Sequence, residues 1–522
     1  MKEIDMPLHI LIRRIFTTVI CLLTVIFYQC GPGNNKPQND NSVTAGYIGD
    51  ERIFCHDYWG MEASYLMFLP LVTFDEDEWG EVQPVLAERW EHSDDYRKWT
   101  FYLRKDVRWH DDMPVTAHDI KFTIDLRSKV NSVPDSLGKK VEIIDDHTVA
   151  ITHKRPMDGL DPFSVYYPKH LLENLDPEKM YEWDFWKQPV GNGPYKYVRH
   201  IPNVMVEIEA NPDYYRGKPK IERVILKFVQ SSDFVELSSG NVDAVSYVQR
   251  SLLRKLSSDD RFRFYHGWGV PIEAIYWNHR NPLFSSPEIR KALTMAINRK
   301  ELGDVLNYPE GVPIIDAITS LRQQQQGLYP EPYPYDPNRA RLLLEEAGWR
   351  DIDGDGILER DGKKFRFTAA VNTDDAYERI AIYVQNQFRK IGVQMEIQLL
   401  ARTIILQRLS KGEFDAIINK IYNMTTQPNF GHIRFFGEGS LIGYDNAEMI
   451  RLLNLAADII NQDEKDRIYK KIMPIFHEDL PMTLLLPTVF THVAHKRIKG
   501  LSSNYRPDPV WFMEYLWIEE EK

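Results

Sequence analysis

The sequence has few cysteines, no cluster of basic residues beyond its first residues, and none of the short motifs that mark common hydrolases. Its 522 residues include three cysteines, and its formal net charge is −12. Proteins that bind nucleic acid neutralise phosphates with clustered Lys and Arg, so this charge argues against such a partner. The sequence has no GxSxG, HExxH or Walker motif and its histidines are scattered, so we expect neither an enzyme nor catalytic residues.

What the sequence does contain is enough apolar material for large cores. Hydrophobic residues make up 43% of the chain and charged residues 27%, which is normal for a soluble globular protein. A chain of this length exceeds what one core usually supports, so we expect two or three domains.

The first residues form a pattern typical of an export signal. An apolar run over residues 15–28, too short to span a bilayer comfortably, follows three basic residues, Lys2, Arg13 and Arg14. Cys30 comes directly afterwards, and the next residues up to 42 are rich in Gly, Pro and Asn, which indicates a flexible tether over residues 30–42. This order resembles a bacterial lipoprotein, which implies a signal peptide over residues 1–29 and acylation of Cys30.

The lipoprotein interpretation has an alternative and a consequence. Tyr28 and Gln29 stand where lipoproteins prefer small residues, so simple secretion or a retained anchor stays open. If the residues before Cys30 are removed and Cys30 is acylated, only Cys55 remains, and no intrachain disulfide can form. An exported protein without a cystine relies on its apolar cores for stability.

Residues 268–297 combine a buried strand with a capped helix. The apolar and aromatic run 272–278 suits a strand buried on both faces. A polar turn ends at Pro282, and Ser286 followed by Pro287 is the pairing that begins a helix. Such a segment either passes the chain from one lobe to another or is an ordinary turn inside one domain.

Helix and strand patterns alternate between residues 336 and 421. One helix carries an apolar stripe and ends at Gly392, and alternating apolar residues over 393–399 then predict a strand; the stripe consists of Ile380, Val384, Phe388 and Ile391. The β-α-β order predicts an α/β lobe with a largely parallel sheet.

Four further local patterns predict element positions. Trp99, Phe101 and Leu103 alternate with other residues as in a half-buried strand, and Thr116 with Asp119 forms a capping-box pattern before a helix. Asp445 is expected to begin a helix, and another helix is expected to run up to about Pro474.

Five stretches of the chain share a pattern with one known family. The most specific is residues 84–125, with LAERW, LRKDVRWHDDMP and VTAHDI; the others are VGNGPY, IYWNHRNPLFSSPEIRKALTMAINRKEL, YDPNRARLLLEEAGWRDIDGDGILE and SLIGYDNAEMIRLL. Together they resemble the solute-binding proteins of peptide-type ABC importers, the oligopeptide- and dipeptide-binding family (extracellular solute-binding family 5). The resemblance covers nearly everything from Val43 to Trp517.

The resemblance implies an α/β, two-lobed periplasmic-binding-protein fold of the large, three-subdomain class, with a ligand cleft between the lobes. The chain would cross between lobes first at residues 277–282 and return at 486–492. The implied parts are a first part of lobe I over residues 43–75, an inserted subdomain over 76–189, a second part of lobe I over 190–277, lobe II over 278–487 and a return to lobe I over 488–522.

The resemblance also implies a function. We expect an exported, lipid-anchored, monomeric protein of the periplasm or cell envelope, which captures an oligopeptide or peptide-like solute and delivers it to an ABC permease and ATPase complex. No cofactor is expected. The alternatives are a non-peptide ligand, either an oligosaccharide or a metal chelate, and a sensor with the same fold; a secreted hydrolase ranks behind both.

The ligand is uncertain because one family residue is missing. Peptide binders of this family place an Asp before a Pro-rich turn to hold the α-ammonium of the peptide. With Pro428 as the anchor, that position falls near Met424, and no carboxylate lies between Asp415 and Glu438. A desolvated ammonium without a counter-charge is unfavourable. The neutral groups nearby are those of Asn423, Thr425, Thr426 and Gln427.

Four further residues are expected at the cleft. They are Tyr58 and Trp59 in the first lobe and Trp277 and Asn278 at the first crossing. Aromatic side chains of this kind equally suit a protein core, so both interpretations stay open for each of them.

The run DIDGDGILE over residues 351–359 resembles a calcium loop. Asp351, Asp353 and Asp355 precede Gly356 with the spacing of oxygen ligands. The twelfth position is Gly362, however, and not the bidentate Glu of such loops. The alternatives are a structural calcium ion and a plain β-turn.

Overall fold

A computed structural model gives the arrangement of the chain. It describes residues 41–519 except for 48–60, 75–81, 131–138, 155, 157–163, 230–232, 247, 249–252, 254, 319–326, 374, 423–429 and 502–512. The chain divides into two compact units, residues 43–521 and residues 1–42 with Lys522. Of the second unit only Asn41 and Ser42 are described.

The described strands fall into several sheets. They are β1 Ser42–Tyr47, β2 Val72–Phe74, β3 Val82–Pro84, β4 Ala87–His92, β5 Lys98–Leu103, β6 Lys140–Asp145, β7 Thr148–Thr152, β8 Tyr195–Ile201, β9 Met205–Ala210, β10 Arg223–Phe228, β11 Ala244–Val245, β12 Phe262–Trp277, β13 Glu359–Arg360, β14 Lys363–Lys364, β15 Arg366–Asn372, β16 Gln394–Leu400, β17 Ala416–Tyr422, β18 Met482–His495, β19 Ile498–Lys499 and β20 Trp517–Ile518. The largest sheet has ten strands in the order β16-β15-β17-β12-β18-β11-β1-β10-β9-β8.

The described helices pack around these sheets. They are α1 Met61–Met67, α2 Ala117–Val130, α3 Lys169–Leu172, α4 Asp233–Ser238, α5 Pro287–Met295, α6 Arg299–Val305, α7 Pro337–Glu346, α8 Asp375–Lys390, α9 Arg402–Lys411, α10 Phe430–Phe436, α11 Ala447–Ala457 and α12 Gln462–Asp479, with short 3-10 turns at Pro177–Glu182, Asp184–Lys187 and Met513–Tyr515. In the described part of the chain, none of these helices is both long and apolar enough to cross a bilayer.

Two long antiparallel strands, β12 and β18, form the centre of the large sheet. They pair from Phe262 opposite His495 to Tyr276 opposite Met482, with one register shift between Trp268 and Ile272 and a second between Glu273 and Ala274. On one side the sheet continues through β17, β15 and β16, and β15 is parallel to both of its neighbours. The parallel β-α-β arrangement expected between residues 336 and 421 is therefore confirmed.

The protein has separate cores in its two halves. In the described residues one large core is built from 43–265 with 494–516, and a smaller one from 229–262 with Val493. Two others lie on opposite faces of the sheet within residues 272–486. Along β12 the change of core falls between Tyr265 and Ile272. The resemblance implied a first crossing between lobes later in the chain, at residues 277–282, where β12 has ended.

A second sheet lies within residues 87–152. It has the antiparallel order β4-β5-β7-β6, and in β5 Trp99, Phe101 and Leu103 are buried while the residues between them are more exposed, as expected. The predicted capping box is present at α2: the backbone N–H of Thr116 donates to Oδ2 of Asp119 at 2.8 Å.

Two elements differ from expectation. Helix α12 runs through Pro474 to Asp479 although a stop near the proline was expected. Met473 just before the proline and Phe476 just after it are both buried, so the apolar stripe continues across Pro474, and this packing favours the helix over a break. Helix α11 is capped by Asn446, whose side chain accepts two backbone N–H bonds, and not by Asp445 as expected.

The turn VGNGPY is a structural junction between distant segments. The backbone N–H groups of Asn192 and Gly193 donate to the carbonyl of Met67 at 2.8 and 2.9 Å. Gly191 donates its N–H to Nδ1 of His110 at 3.2 Å, so Nε2 carries the proton and donates to the carbonyl of Gly193 at 3.1 Å. Burial lowers the pKa of His110 to about 4, which keeps this imidazole neutral.

This junction predicts that Gly191→Ala destabilises the protein. A Cβ at this position would lie 2.0 Å from the carbonyl oxygen of Met67, which is backbone and cannot rotate away. We expect a loss of about 3 kcal/mol in the free energy of unfolding, measured by urea denaturation. As a control, Gly303→Ala in α6 adds a Cβ with no neighbour nearer than 3.8 Å and is expected not to lower stability. Equal stability of both variants would contradict the close approach at Gly191.

Candidate functional site

Polar side chains lie where the two long strands pass between the halves. Oγ1 of Thr488 in β18 donates to Oε1 of Glu273 in β12 at 3.0 Å, and both side chains are buried. On the other side of the register shift, Nδ1 of His266 lies 3.0 Å from Oγ1 of Thr491, and burial lowers the pKa of this histidine. Buried polar groups in paired strands of an otherwise apolar sheet require such partners.

The loop expected to hold the solute leaves the sheet at the same place. Strand β17 pairs with β12, and its last residue, Tyr422, lies opposite Pro271, next to Ile272 and within the register shift of β12. Strands β15 and β17 are parallel, so their carboxyl ends share one edge of the sheet. Ligands of open α/β sheets bind outside that edge.

Several predicted residues lie outside the part of the chain that the structure describes. They are Cys30, Tyr58, Trp59, Asn423, Met424, Thr425, Thr426 and Gln427. Their expected roles stay predictions. The structure contributes the position of the strand that leads into residues 423–429.

Trp277 lies in the core of the second half and not in an open cleft. Its side chain is 0% exposed, and its ring centroid is 4.8 Å from that of Phe284 and 5.9 Å from that of Phe367. Its Nε1 donates to Oγ1 of Thr483 at 3.0 Å, which satisfies the one polar group of the indole. The structure therefore gives Trp277 a packing role in place of the expected contact with a ligand.

Asn278 also has a structural role in this arrangement. Its Nδ2 donates to the carbonyls of Gly412 and Phe414 at 3.1 and 2.6 Å, and its Oδ1 accepts from the N–H of Arg280 at 3.2 Å. These bonds fix the end of β12 to the turn before β17, and the side chain is 5% exposed. Its amide is thus engaged within the protein, which corrects the expectation of a cleft residue.

The three aspartates of the DIDGDGILE run come together, but a lysine lies among them. Their nearest carboxylate oxygens lie within 4.8 Å of one another, and all three side chains are exposed. Nζ of Lys364 lies 3.0 Å from Oδ2 of Asp353 and also contacts Asp355. Hydrogen bonding to Asp355 and Asp353 raises the pKa of this lysine. Asp351 instead accepts the N–H groups of Gly354 and Gly356, as in a tight turn.

A cavity in the second half was not anticipated from the sequence. Its volume is about 840 Å³, and it is lined by residues of α6, of segments 308–314 and 329–335, and by Leu486 of β18. The signal available in the sequence was the run YPEPYPY over residues 329–335, whose alternating Pro and Tyr predict an exposed, extended segment.

Comparison with known proteins now identifies the family. The family model of bacterial extracellular solute-binding proteins, family 5 middle, matches residues 81–441. The chain belongs to this family. The resemblance inferred from the five sequence stretches is therefore confirmed, and so is the two-lobed periplasmic-binding-protein fold.

Individual family 5 proteins are similar over most of the chain. The oligopeptide-binding protein AppA of Bacillus subtilis (strain 168) is 28% identical over 475 residues, which are 86% of this chain and 87% of that protein. The structure of Bacillus subtilis AppA with a nonapeptide has a TM-score of 0.68 at 25% identity, covering 93% of this chain and 100% of that one. NikZ of Campylobacter jejuni with Ni(L-His) has a TM-score of 0.71 at 26% identity, covering 92% and 100%.

The placement of Trp277 predicts a stability effect. Trp277→Ala removes a fully buried indole from an aromatic cluster and is expected to cost about 3–5 kcal/mol in the free energy of unfolding. Thermal unfolding followed by calorimetry measures the change. Trp517→Ala is the matched control because this indole is 40% exposed. If Trp277→Ala kept the melting temperature of the parent and lost solute binding alone, the packing role would be wrong.

The lysine among the aspartates predicts that calcium does not stabilise the protein. The melting temperature should be the same in calcium and in EDTA, because the Lys364 ammonium already contacts Asp353 and Asp355. In Lys364→Gln the carboxylates lose this cation, and calcium should then raise the melting temperature. Lys363→Gln, on the neighbouring residue, controls for loss of charge. Stabilisation of the parent protein by millimolar calcium would contradict the proposal that Lys364 takes the place of a metal ion among the aspartates.

Proposed function

We propose that this protein is the solute receptor of an ABC importer and binds a peptide or peptide-like compound between its two halves. The observation that carries the proposal is the end of β17: its last residue, Tyr422, lies opposite Pro271 at the crossing of the two long strands and leads directly into residues 423–429. A solute held there contacts both halves and can stabilise a closed arrangement by its higher affinity for it.

A related protein supports a peptide as the solute, and the sequence indicates how such a peptide would be held. Bacillus subtilis AppA was solved with a nonapeptide, and a ligand of that kind offers backbone amides along its whole length. Residues 416–437 contain no carboxylate, so we propose that the peptide is held by neutral hydrogen bonds and not through its α-ammonium at this loop. The neutral side chains of Asn423 and Gln427 supply donors and acceptors for this.

A metal chelate is the second candidate for the solute. NikZ of Campylobacter jejuni was solved with Ni(L-His), and the missing carboxylate favours a ligand that needs no anionic partner for an ammonium group. An oligosaccharide is compatible with the same neutral loop. Use of the protein as a sensor would change its membrane partner but not its cleft.

The cellular setting is inferred from the start of the sequence and from the family. We propose that residues 1–29 are removed, that Cys30 is acylated, and that the monomeric protein stays at the cell envelope and docks on a permease and ATPase complex. It performs no covalent chemistry on its solute. A single acyl chain binds membranes only weakly, so a stable anchor requires a second chain or another contact with the membrane.

Native mass spectrometry of the protein purified from cell envelopes tests the proposal. We expect the folded protein to carry masses of short peptides, and these masses should disappear after denaturation and refolding in clean buffer. The fraction of protein with a bound peptide should fall in the double variant Asn423→Ala/Gln427→Ala, which removes two neutral hydrogen-bonding side chains.

The control for this experiment is Gln407→Ala, which removes an exposed amide from α9 and leaves residues 423–429 unchanged. Its carried solute should match that of the parent. Recovery of a metal chelate or a sugar would replace the peptide assignment, whereas conversion of any added compound would end the assignment as a receptor.

A further inference from the structure

The cavity of the second half has walls that are fixed by a buried ion pair. Arg299, at the start of α6, contacts both carboxylate oxygens of Asp316, and their side chains are 3% and 0% exposed. Arg299 also donates to the carbonyls of Leu484 and Tyr333, at 3.1 and 2.6 Å. Asp316 in turn accepts the N–H of Tyr333 at 2.7 Å. The ion pair thereby connects α6, β18 and the segment 329–335, which all line the cavity, through one hydrogen-bond network.

Aromatic side chains contribute much of the cavity surface. Four tyrosines line it, Tyr308, Tyr329, Tyr333 and Tyr335. The ring of Tyr333 stacks on His477 at a centroid distance of 4.4 Å, and its hydroxyl donates to the carbonyl of His477 at 3.1 Å. This ring is therefore held in place and does not need to be ordered by a ligand. Val312, Ile314 and Leu486 add apolar surface.

The charges at the cavity are unbalanced. Three carboxylates line it, those of Asp304, Glu310 and Glu331, against the ammonium of Lys300, since Arg299 is engaged by Asp316. Within the described chain none of these three carboxylates is part of an ion pair. Three negative charges and one positive charge leave a local net charge of −2. Such a site attracts cations.

We propose that this cavity is a second binding site, which takes an organic cation with a guanidinium or alkylammonium group on an apolar stem. Tyrosine faces attract such cations, and the carboxylates supply charge-assisted hydrogen bonds. The volume of about 840 Å³ is within the range of small-molecule sites. None of the residues expected to hold the inter-lobe solute lines this cavity, so the proposal does not depend on the identity of that solute.

Two sources share this chemistry, a free amine and a basic side chain of a peptide. Agmatine represents the first and N-acetyl-arginine amide the second, while N-acetyl-citrulline amide is the uncharged analogue of the second. Isothermal titration of the full chain with each probe should show binding of at least one cation and none of the citrulline compound. Binding should weaken as salt rises.

The double variant Glu310→Gln/Glu331→Gln locates the binding. Both side chains are exposed, so the change should leave the fold intact, and loss of two charges should weaken cation binding by about ten-fold. Glu413→Gln/Glu438→Gln removes the same charge from exposed positions that do not line the cavity and should leave binding unchanged. The solute that the protein carries from cells should be the same in both variants.

The proposal is overturned by any of three results. These are no binding of either cation at millimolar concentration, equal binding of the citrulline compound, and equal affinity of the Glu310→Gln/Glu331→Gln variant and the parent. The third result would place the cation elsewhere on the protein, whatever the inter-lobe solute is.

Discussion

The antiparallel pairing of β12 with β18 is the constraint on which the rest of the structure depends. One ladder of backbone hydrogen bonds runs from Phe262 to Tyr276 and joins halves whose cores are separate. Such a ladder resists stretching and shear, but a register shift bends a strand and increases its local twist. The shift between Trp268 and Ile272 lies where the core changes, so this is the point at which we expect the strands to absorb a relative movement of the halves.

The sequence predicted correctly those helices, strands and caps that depend on side chains close together in the chain. The stripe on α8, the capping box at Thr116 and Asp119, and the alternation in β5 each follow from side chains a few residues apart, and all are present in the structure. The first part of β12 was missed because its sequence, with His266 and two glycines, has no apolar period. Its strand state comes from pairing with residues 489–495, far away in the sequence.

Trp277 and Asn278 lie several residues away from the point at which the core changes along β12. Side chains alternate along a strand, so Glu273 and Trp277 point to the same face, but four residues separate them by roughly 13 Å. The resemblance implied a crossing at residues 277–282, whereas Glu273, nearer the change of core, contacts Thr488 of the returning strand. Sequence alone identified the strand and its buried character, but the point at which a strand leaves one core for another depends on tertiary packing.

Charge pairing separates two acidic groups that look alike in the sequence. The spacing of Asp351, Asp353 and Asp355 matches a metal loop, yet Lys364 on the adjacent hairpin lies among them. The carboxylates at the cavity follow no sequence motif. The guanidinium of Arg299, which also lines the cavity, already forms an ion pair with Asp316. A motif records only ligand spacing. Whether carboxylates remain available for a ligand depends on which cations the fold brings into contact with them. Lys364 contacts two of the three aspartates of the motif, whereas among the described residues no cation is paired with the three carboxylates of the cavity.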